Sequence, residues 1–381
     1  MTLNTNYKGR NLFLDGEVDI ARYDVLEFPM LDKIVKQQRS YFWQPEEIQD
    51  IIKDKNDFAS LTPHEQHIFT SNLKRQTLLD STQGRAPAEV LGPITSVPEA
   101  EIWTTKWTES ETVHSYSYTY IIRNIYADPS SVFDTLATIQ PIVDCGVDIA
   151  RYYDELDRYN KFVDLFGYST GRGEGDDDFL SVQRLTGIYN PTLYEHKRKL
   201  MACLMSVNIL EGVRFYVSFA CSWAFAERKK MEGNAKIIKL IARDENLHLA
   251  STQYMIRELR RKDPEFQAIW EQDQQSYVDQ FNEAIKQEKE WAAYLFKDGS
   301  MVGLTEPILC QYVDYIAKQR MKSVELPHDH LEVTQNPLPW TQKWISGKDM
   351  QDAPQEVSKT EYRIGGTKAD LGAEAFKGFK L

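Results

Sequence analysis

Between about residue 27 and residue 350, apolar positions recur at helical spacing, with turn signals between them and few of the alternating runs that mark strands. The pattern predicts an all-α protein. Pro63 opens one helix, "PHEQHIFTSNLKRQTLLDSTQGRAP", in which Phe69, Leu73 and Asp80 share a stripe before Gly84 and Pro87 end it. Pro98 opens a second that runs to about Asn124, a third spans residues 197 to 230, and a fourth residues 233 to 260. The chain divides into an N-terminal extension (1–26), a helical domain (27–350) and a tail (351–381). The tail is polar and glycine-bearing, which predicts flexibility, yet it ends on the apolar Phe376, Phe379 and Leu381.

Charge narrows the partners. A formal net charge of -12 opposes unaided binding to nucleic acid or to an anionic membrane. The most apolar stretch, residues 201 to 226, carries Asn208, Glu211 and Arg214, which are expensive in a bilayer, so it reads as a buried core helix. The N-terminus lacks the uninterrupted apolar core of a signal peptide. Cys145, Cys203, Cys221 and Cys310 lie far apart with no Cys-x-x-Cys, which suits a reduced, cytoplasmic setting. "GYSTGRGEGDDDF" (167–179) is glycine-rich but has no Lys-Ser/Thr and no preceding strand, and reads as a solvated surface loop rather than a phosphate cradle.

The candidate chemistry lies in Glu-x-x-His pairs. Seven histidines in a chain with 57 acidic residues among 381 would meet an acidic residue three positions upstream about once by chance, so a bare count decides little. Three pairs occur: Glu111/His114, Glu245/His248 and Glu325/His328. In the third, Pro327 directly precedes the histidine and disfavours a helix, which makes it a surface turn. On a helix, Glu111 and Tyr118 both lie within roughly 60° of His114, whereas Tyr116 and Tyr120 point away. Ile241, Glu245 and His248 form an equivalent stripe on the fourth helix, and Glu211, Phe215 and Phe219 another on the third.

Taken singly, each pair suits helix-surface hydrogen bonding or a satisfied core histidine, Asp80 a cap, and Glu211 an ion pair with Arg214. Buried on apolar stripes, Glu211 and Asp80 each need a cation or a donor facing them, and a dinuclear metal cluster would answer both and the two pairs at once. One Glu-x-x-His from each of two helices and one carboxylate from each of two others is the dimetal arrangement of ferritin-like helical bundles.

At these residues the chain resembles the small, radical-generating subunit of class I ribonucleotide reductase. The matching blocks are "FWQPEEI", "NLKRQTLLDSTQGRAP", "SETVHSYSYTYIIRN", "LMSVNILEGVRFYVSFACSWAFAE", "GNAKIIKLIARDENLHL", "LFKDGSMVGL" and "APQEVSKTEY", in family order over most of residues 20 to 362. The resemblance implies a homodimer with two iron ions per chain in an Fe–O–Fe centre, manganese being the alternative, and O2 for activation. It assigns Asp80, Glu111 and His114 to one metal and Glu211, Glu245 and His248 to the other, with carboxylates bridging. It implies a stable tyrosyl radical at Tyr118, a shielding pocket of Phe215, Phe219 and Ile241, and a relay through Trp43 and Asp244 behind His114. Tyr362 would pass the radical to a large catalytic subunit docked on residues 353–381, which reduces ribonucleotides to deoxyribonucleotides. Outside the resemblance, Trp43 reads as a core aromatic and Tyr362 as an exposed tail residue.

Three positions depart from the family pattern: Glu109 and Arg75 stand where an aromatic is expected, and Tyr116 where a basic residue is common. The alternatives are a dimetal oxidase with its own apolar substrate, an iron-storage bundle, and a bundle without metal.

Overall fold

The computed structural model describes residues 3–168, 186–189 and 191–345. Helices α1 (Pro29–Ser40), α2 (Ile51–Ala59), α3 (Pro63–Gln83) and α4 (Pro98–Ile125) are followed by a single turn, α5 (Ser130–Phe133), and by α6 (Gln140–Phe166). The second half holds α7 (Leu193–Ile209), α8 (Tyr216–Glu227), α9 (Glu232–Lys262), α10 (Pro264–Phe296), α11 (Glu306–Ser323) and the short α12 (Gln342–Ile345). Among the described residues the only β pairing is two isolated bridges, Phe13 with Thr95 and Met301 with Leu304, so the all-α expectation holds. The tail from 346 onward and the glycine-rich segment from 169 to 185 lie outside the described residues.

Six helices carry proline in their first two positions, where its missing N–H leaves no bond unmade. This is why the starts of α3 and α4 were readable. Helix α3 adds a capping box, in which the Glu65 carboxylate accepts from the Thr62 backbone N–H at 3.0 Å. Helices α3, α4, α8 and α9 pack on one another, with α6, α10 and α11 wrapped around them.

The third expected helix, 197 to 230, is interrupted. Leu210–Arg214 forms a π turn between α7 and α8, which the apolar run gives no sign of. Arg320, itself buried, donates from Nε to the Gly212 carbonyl at 3.1 Å and so serves backbone that the irregular turn exposes. A Cβ at Gly212 would stand 3.0 Å from Leu249 Cδ1 and 3.1 Å from Arg320 Cγ, so the turn sits tight against both neighbours. Leu193–Glu227 is long and apolar enough to cross a membrane, but 94% of its apolar window is buried inside the bundle.

Helix α9, which carries the second Glu-x-x-His, is anchored at its start by α2. Asp54 accepts from the backbone N–H groups of Gly233 (3.1 Å) and Asn234 (2.6 Å), and Asp57 accepts from that of Met231 (3.2 Å). The two helices approach so closely that a Cβ at Gly233 would lie 2.3 Å from the Ile51 nitrogen. Burial nonetheless pushes the Asp54 carboxyl up to about 6, the backbone donors only partly opposing it. A carboxyl raised above its unfolded value contributes stability that is complete below the unfolded value and is lost as pH rises through about 6. Between pH 7 and pH 5 the wild type is therefore expected to gain about 1 kcal/mol of unfolding free energy over Asp54→Asn. Chemical denaturation at the two pH values checks this, and parallel changes in both proteins would refute it.

Candidate metal centre

Four helical segments each turn polar groups toward one buried point. Asp80 comes from the last turn of α3, Glu111 and His114 from the middle of α4, Glu211 from the π turn, and Glu245 and His248 from α9. All six are at most 1% exposed. They fall into two overlapping groups, Asp80/Glu111/His114/Glu245 and Glu111/Glu211/Glu245/His248, within each of which one ligand atom per residue lies within 4.8 Å of the others. Glu111 and Glu245 belong to both. The family assignment placed one of them on each metal, and the geometry refines it by making both candidate bridges.

The carboxylates grip the two imidazoles. His114 Nδ1 lies 3.2 Å from Glu111 Oε2 and 3.1 Å from Glu245 Oε1, while His248 Nδ1 lies 2.9 Å from Glu111 Oε1 and 2.7 Å from Glu245 Oε2. Burial and repulsion from Glu111 and Glu245 hold Asp80 well above the ordinary carboxylate range, and burial with the same two neighbours does so for Glu211. Burial also works to raise Glu245, but the two imidazoles overcome it and hold that carboxylate below its ordinary value. Burial works to lower His248, yet Glu111 and Glu245 push it up to about 9.

These side chains are incomplete as a protein-only network. Both Asp80 oxygens, Glu211 Oε2 and His248 Nε2 are buried without a hydrogen-bond partner, and such orphans are costly in a dry interior. The charged groups that act most strongly on Asp80 and Glu211 are other carboxylates rather than a lysine or arginine. Two divalent cations would neutralise the four carboxylates, and a set of carboxylate oxygens and imidazole nitrogens suits iron, manganese or a similar ion. The residues fit a metal pair. The rival reading of Glu211 as the partner of Arg214 fails: that guanidinium pairs with Asp148 and donates to Gln287 Oε1 at 2.6 Å.

Around the ligands lies a ring of donors. Trp43 Nε1 donates to Asp244 Oδ2 at 2.9 Å, and the same oxygen lies 3.2 Å from His114 Nε2, so the carboxylate bridges indole and imidazole. The Trp43 and His114 rings stack at 6.3 Å. Burial would raise Asp244, but His114, Arg243 and Trp43 keep it below the usual carboxylate value. Tyr118 is fully buried one turn beyond His114; its hydroxyl faces Asp80 without a hydrogen bond of ordinary geometry, and burial with that charge raises it well above the usual phenol range. Phe215 and Phe219 stack at 5.5 Å and, with Ile241, are fully buried in the same core cluster as Tyr118. Tyr362 and residues 353–381 lie outside the described residues.

The sequence reading missed Trp107, whose Nε1 donates to Glu111 Oε1 at 2.8 Å, and Gln83, whose Nε2 donates to Glu211 Oε1 at 2.7 Å. Trp107 stands four residues before Glu111 and Gln83 three after Asp80, so helical spacing contained both. Glu325/His328 is indeed a turn: Glu325 has φ +62° and an exposed side chain. The departures also resolve. Glu109 pairs with Lys106 on the outer face of α4, and Tyr116 donates to Glu46 at 2.7 Å, both exposed. Arg75 and Glu288 form an ion pair with no exposure, and the guanidinium lies 4.8 Å over the Trp291 ring.

A helical bundle centred on four carboxylates and two imidazoles, in two groups that share Glu111 and Glu245, has a ligand set consistent with a dinuclear metal site in a ferritin-like architecture. Residues 22–337 match the family model of the ribonucleotide reductase small chain, and the chain belongs to that family. It is 47% identical to the ribonucleoside-diphosphate reductase subunit beta of Haemophilus influenzae, over 97% of this chain and 96% of that protein. It is equally identical to subunit beta of reductase 1 from Escherichia coli O157:H7 over the same shares, and 39% identical to the phage T4 subunit beta over 97% and 95%. In fold it is similar to the R2 subunit from Clostridium botulinum (TM-score 0.75, 20% identity, 91% of this chain and 98% of that one). A similar likeness links it to dimanganese(II)-NrdF of Streptococcus sanguinis (0.65, 18%, 87% and 100%).

Shared ligation has a numerical consequence. Stripped protein titrated with Mn(II), with free ion followed by electron paramagnetic resonance, should bind two ions per chain. His248→Ala should leave one, and Glu111→Ala, which removes a side chain common to both groups, should leave almost none; equal losses in the two variants would contradict the bridged arrangement.

Proposed function

We propose that this chain is the radical-generating beta subunit of a ribonucleoside-diphosphate reductase, acting as a homodimer with a separate large catalytic subunit in the cytoplasm. The observation that carries the radical role is Tyr118: a fully buried phenol one helical turn from a metal-site imidazole, facing a carboxylate, in an apolar enclosure. When bound, a redox-active metal pair, iron with manganese as the alternative, supplies the O2-derived oxidising equivalent that a phenol requires.

The residues do the rest. Asp80, Glu111, His114, Glu211, Glu245 and His248 hold the pair. Asp80 receives the proton that leaves the Tyr118 hydroxyl, since oxidised phenols are strong acids and Asp80 acts more strongly on this phenol than Glu245 or Glu111 does. Phe215, Phe219 and Ile241 exclude water and reductants, so the radical persists at Tyr118. Trp43 and Asp244 continue the route behind His114: the indole N–H already donates to Asp244 Oδ2, so the carboxylate can take a proton as the ring gives up an electron. Tyr362 passes the oxidising equivalent to the large subunit, and Phe376, Phe379 and Leu381 dock the tail there, with ordering entropy set against the binding.

Apoprotein given ferrous iron and O2 should show a persistent tyrosyl resonance that is lost in Tyr118→Phe. Trp43→Phe should cut reductase turnover with the large subunit at least 100-fold while the protein still folds and binds metal. Deleting residues 375–381 should abolish turnover and leave the resonance intact. A radical signal surviving in Tyr118→Phe would reject the assignment, and full turnover by the truncated chain would reject the docking role.

A further inference from the structure

One buried hydrogen-bond chain at the metal centre has no place in the radical route. Tyr153 on α6 donates its hydroxyl proton to Gln83 Oε1 at 2.6 Å, and Gln83 on α3 donates from Nε2 to Glu211 Oε1 on the π turn at 2.7 Å. Gln83 and Glu211 are wholly buried and Tyr153 is 4% exposed. We propose that Tyr153 and Gln83 are positioning residues that set the orientation of the Glu211 carboxylate at the metal pair, an inference that rests on the dimetal reading of the site.

A glutamine side chain can present either its oxygen or its NH2 group to a neighbour, and only the second is attractive to a carboxylate. The Glu211 carboxylate, which only accepts, takes the NH2 group, and the Tyr153 hydroxyl, by donating to the amide oxygen, holds the glutamine in that orientation. Gln83 in turn engages one Glu211 oxygen, Oε1, while Oε2 has no protein partner and is the atom left for a cation. Glu211 sits on an irregular turn, where the regular i to i+4 neighbours that steady a helical side chain are displaced. An external brace is therefore needed there more than at Glu111, which has Trp107 on its own helix.

The same chain separates the two buried tyrosines near the cluster. The Tyr153 hydroxyl is tied to a neutral amide, which cannot accept a phenolic proton, whereas Tyr118 faces a carboxylate. Tyr153 is thus a brace and not a second radical site.

The test uses the full-length chain, stripped by chelation and titrated with Mn(II). Tyr153→Phe, which keeps the ring, should still bind two ions but hold one of them about ten-fold more weakly, with a changed resonance spectrum of the bound ion. Gln83→Leu should weaken the same ion at least as much. Because the two residues act in series, adding Tyr153→Phe to Gln83→Leu should produce no further loss. Unchanged affinity and spectrum in Tyr153→Phe, even with a lowered melting temperature, would show a merely structural hydrogen bond and overturn the proposal. So would independent, multiplying losses in the double variant. Failure of the wild type to bind two ions would instead refute the dimetal reading on which the proposal stands.

Discussion

The structure is organised around four carboxylates and two imidazoles held out of water at one point. Like charges this close in a medium of low polarisability repel strongly, and the strongest charged neighbours of Asp80 and Glu211 are themselves carboxylates. Protein alone answers only part of that demand, through the imidazoles clasped by Glu111 and Glu245. Such a centre is built at the expense of the chain's own stability, which bound cations would restore. Everything outside it has to hold the four carboxylates together against their mutual repulsion.

Three kinds of support do so. Helix α9 is fastened at its start by Asp54 and Asp57 of α2, which reach across from a separate element to take up its free backbone donors. The π turn that offers Glu211 is held by Arg320 on its carbonyl side. Hydrogen bonds from Trp107, Gln83 and the Trp43–Asp244 pair then aim individual ligands. Each support comes from a different segment of the chain than the one it steadies, except Trp107, so the geometry of the centre depends on the packing of the whole bundle.

Much of this was legible in the chain. The Glu-x-x-His pairs could be read because spacing alone places i and i+3 on one helical face, and the proline-marked starts of α3 and α4 fixed where those faces begin. Tyr118 was separable from Tyr116 and Tyr120 for the same reason, and the structure buries Tyr118 while leaving Tyr116 exposed. The π turn was not legible, since an unbroken apolar run looks the same whether its backbone is regular or widened. Nor were the contacts of Arg75 with Glu288 or of Asp54 with Gly233, which join positions far apart in sequence and obey no period. The roles of Gln83 and Trp107 fall between these cases: their spacing was visible, but only the folded site shows what they touch.

The pairing of Arg75 with Glu288 also bears on how such a chain can change. Both groups are wholly enclosed, and removing either partner would strand the other's charge at a cost of roughly 3–5 kcal/mol, a large share of what keeps a domain folded. Replacing Arg75 by an apolar side chain therefore costs least when position 288 also loses its charge. The two positions are thus energetically coupled although they lie on different helices more than two hundred residues apart.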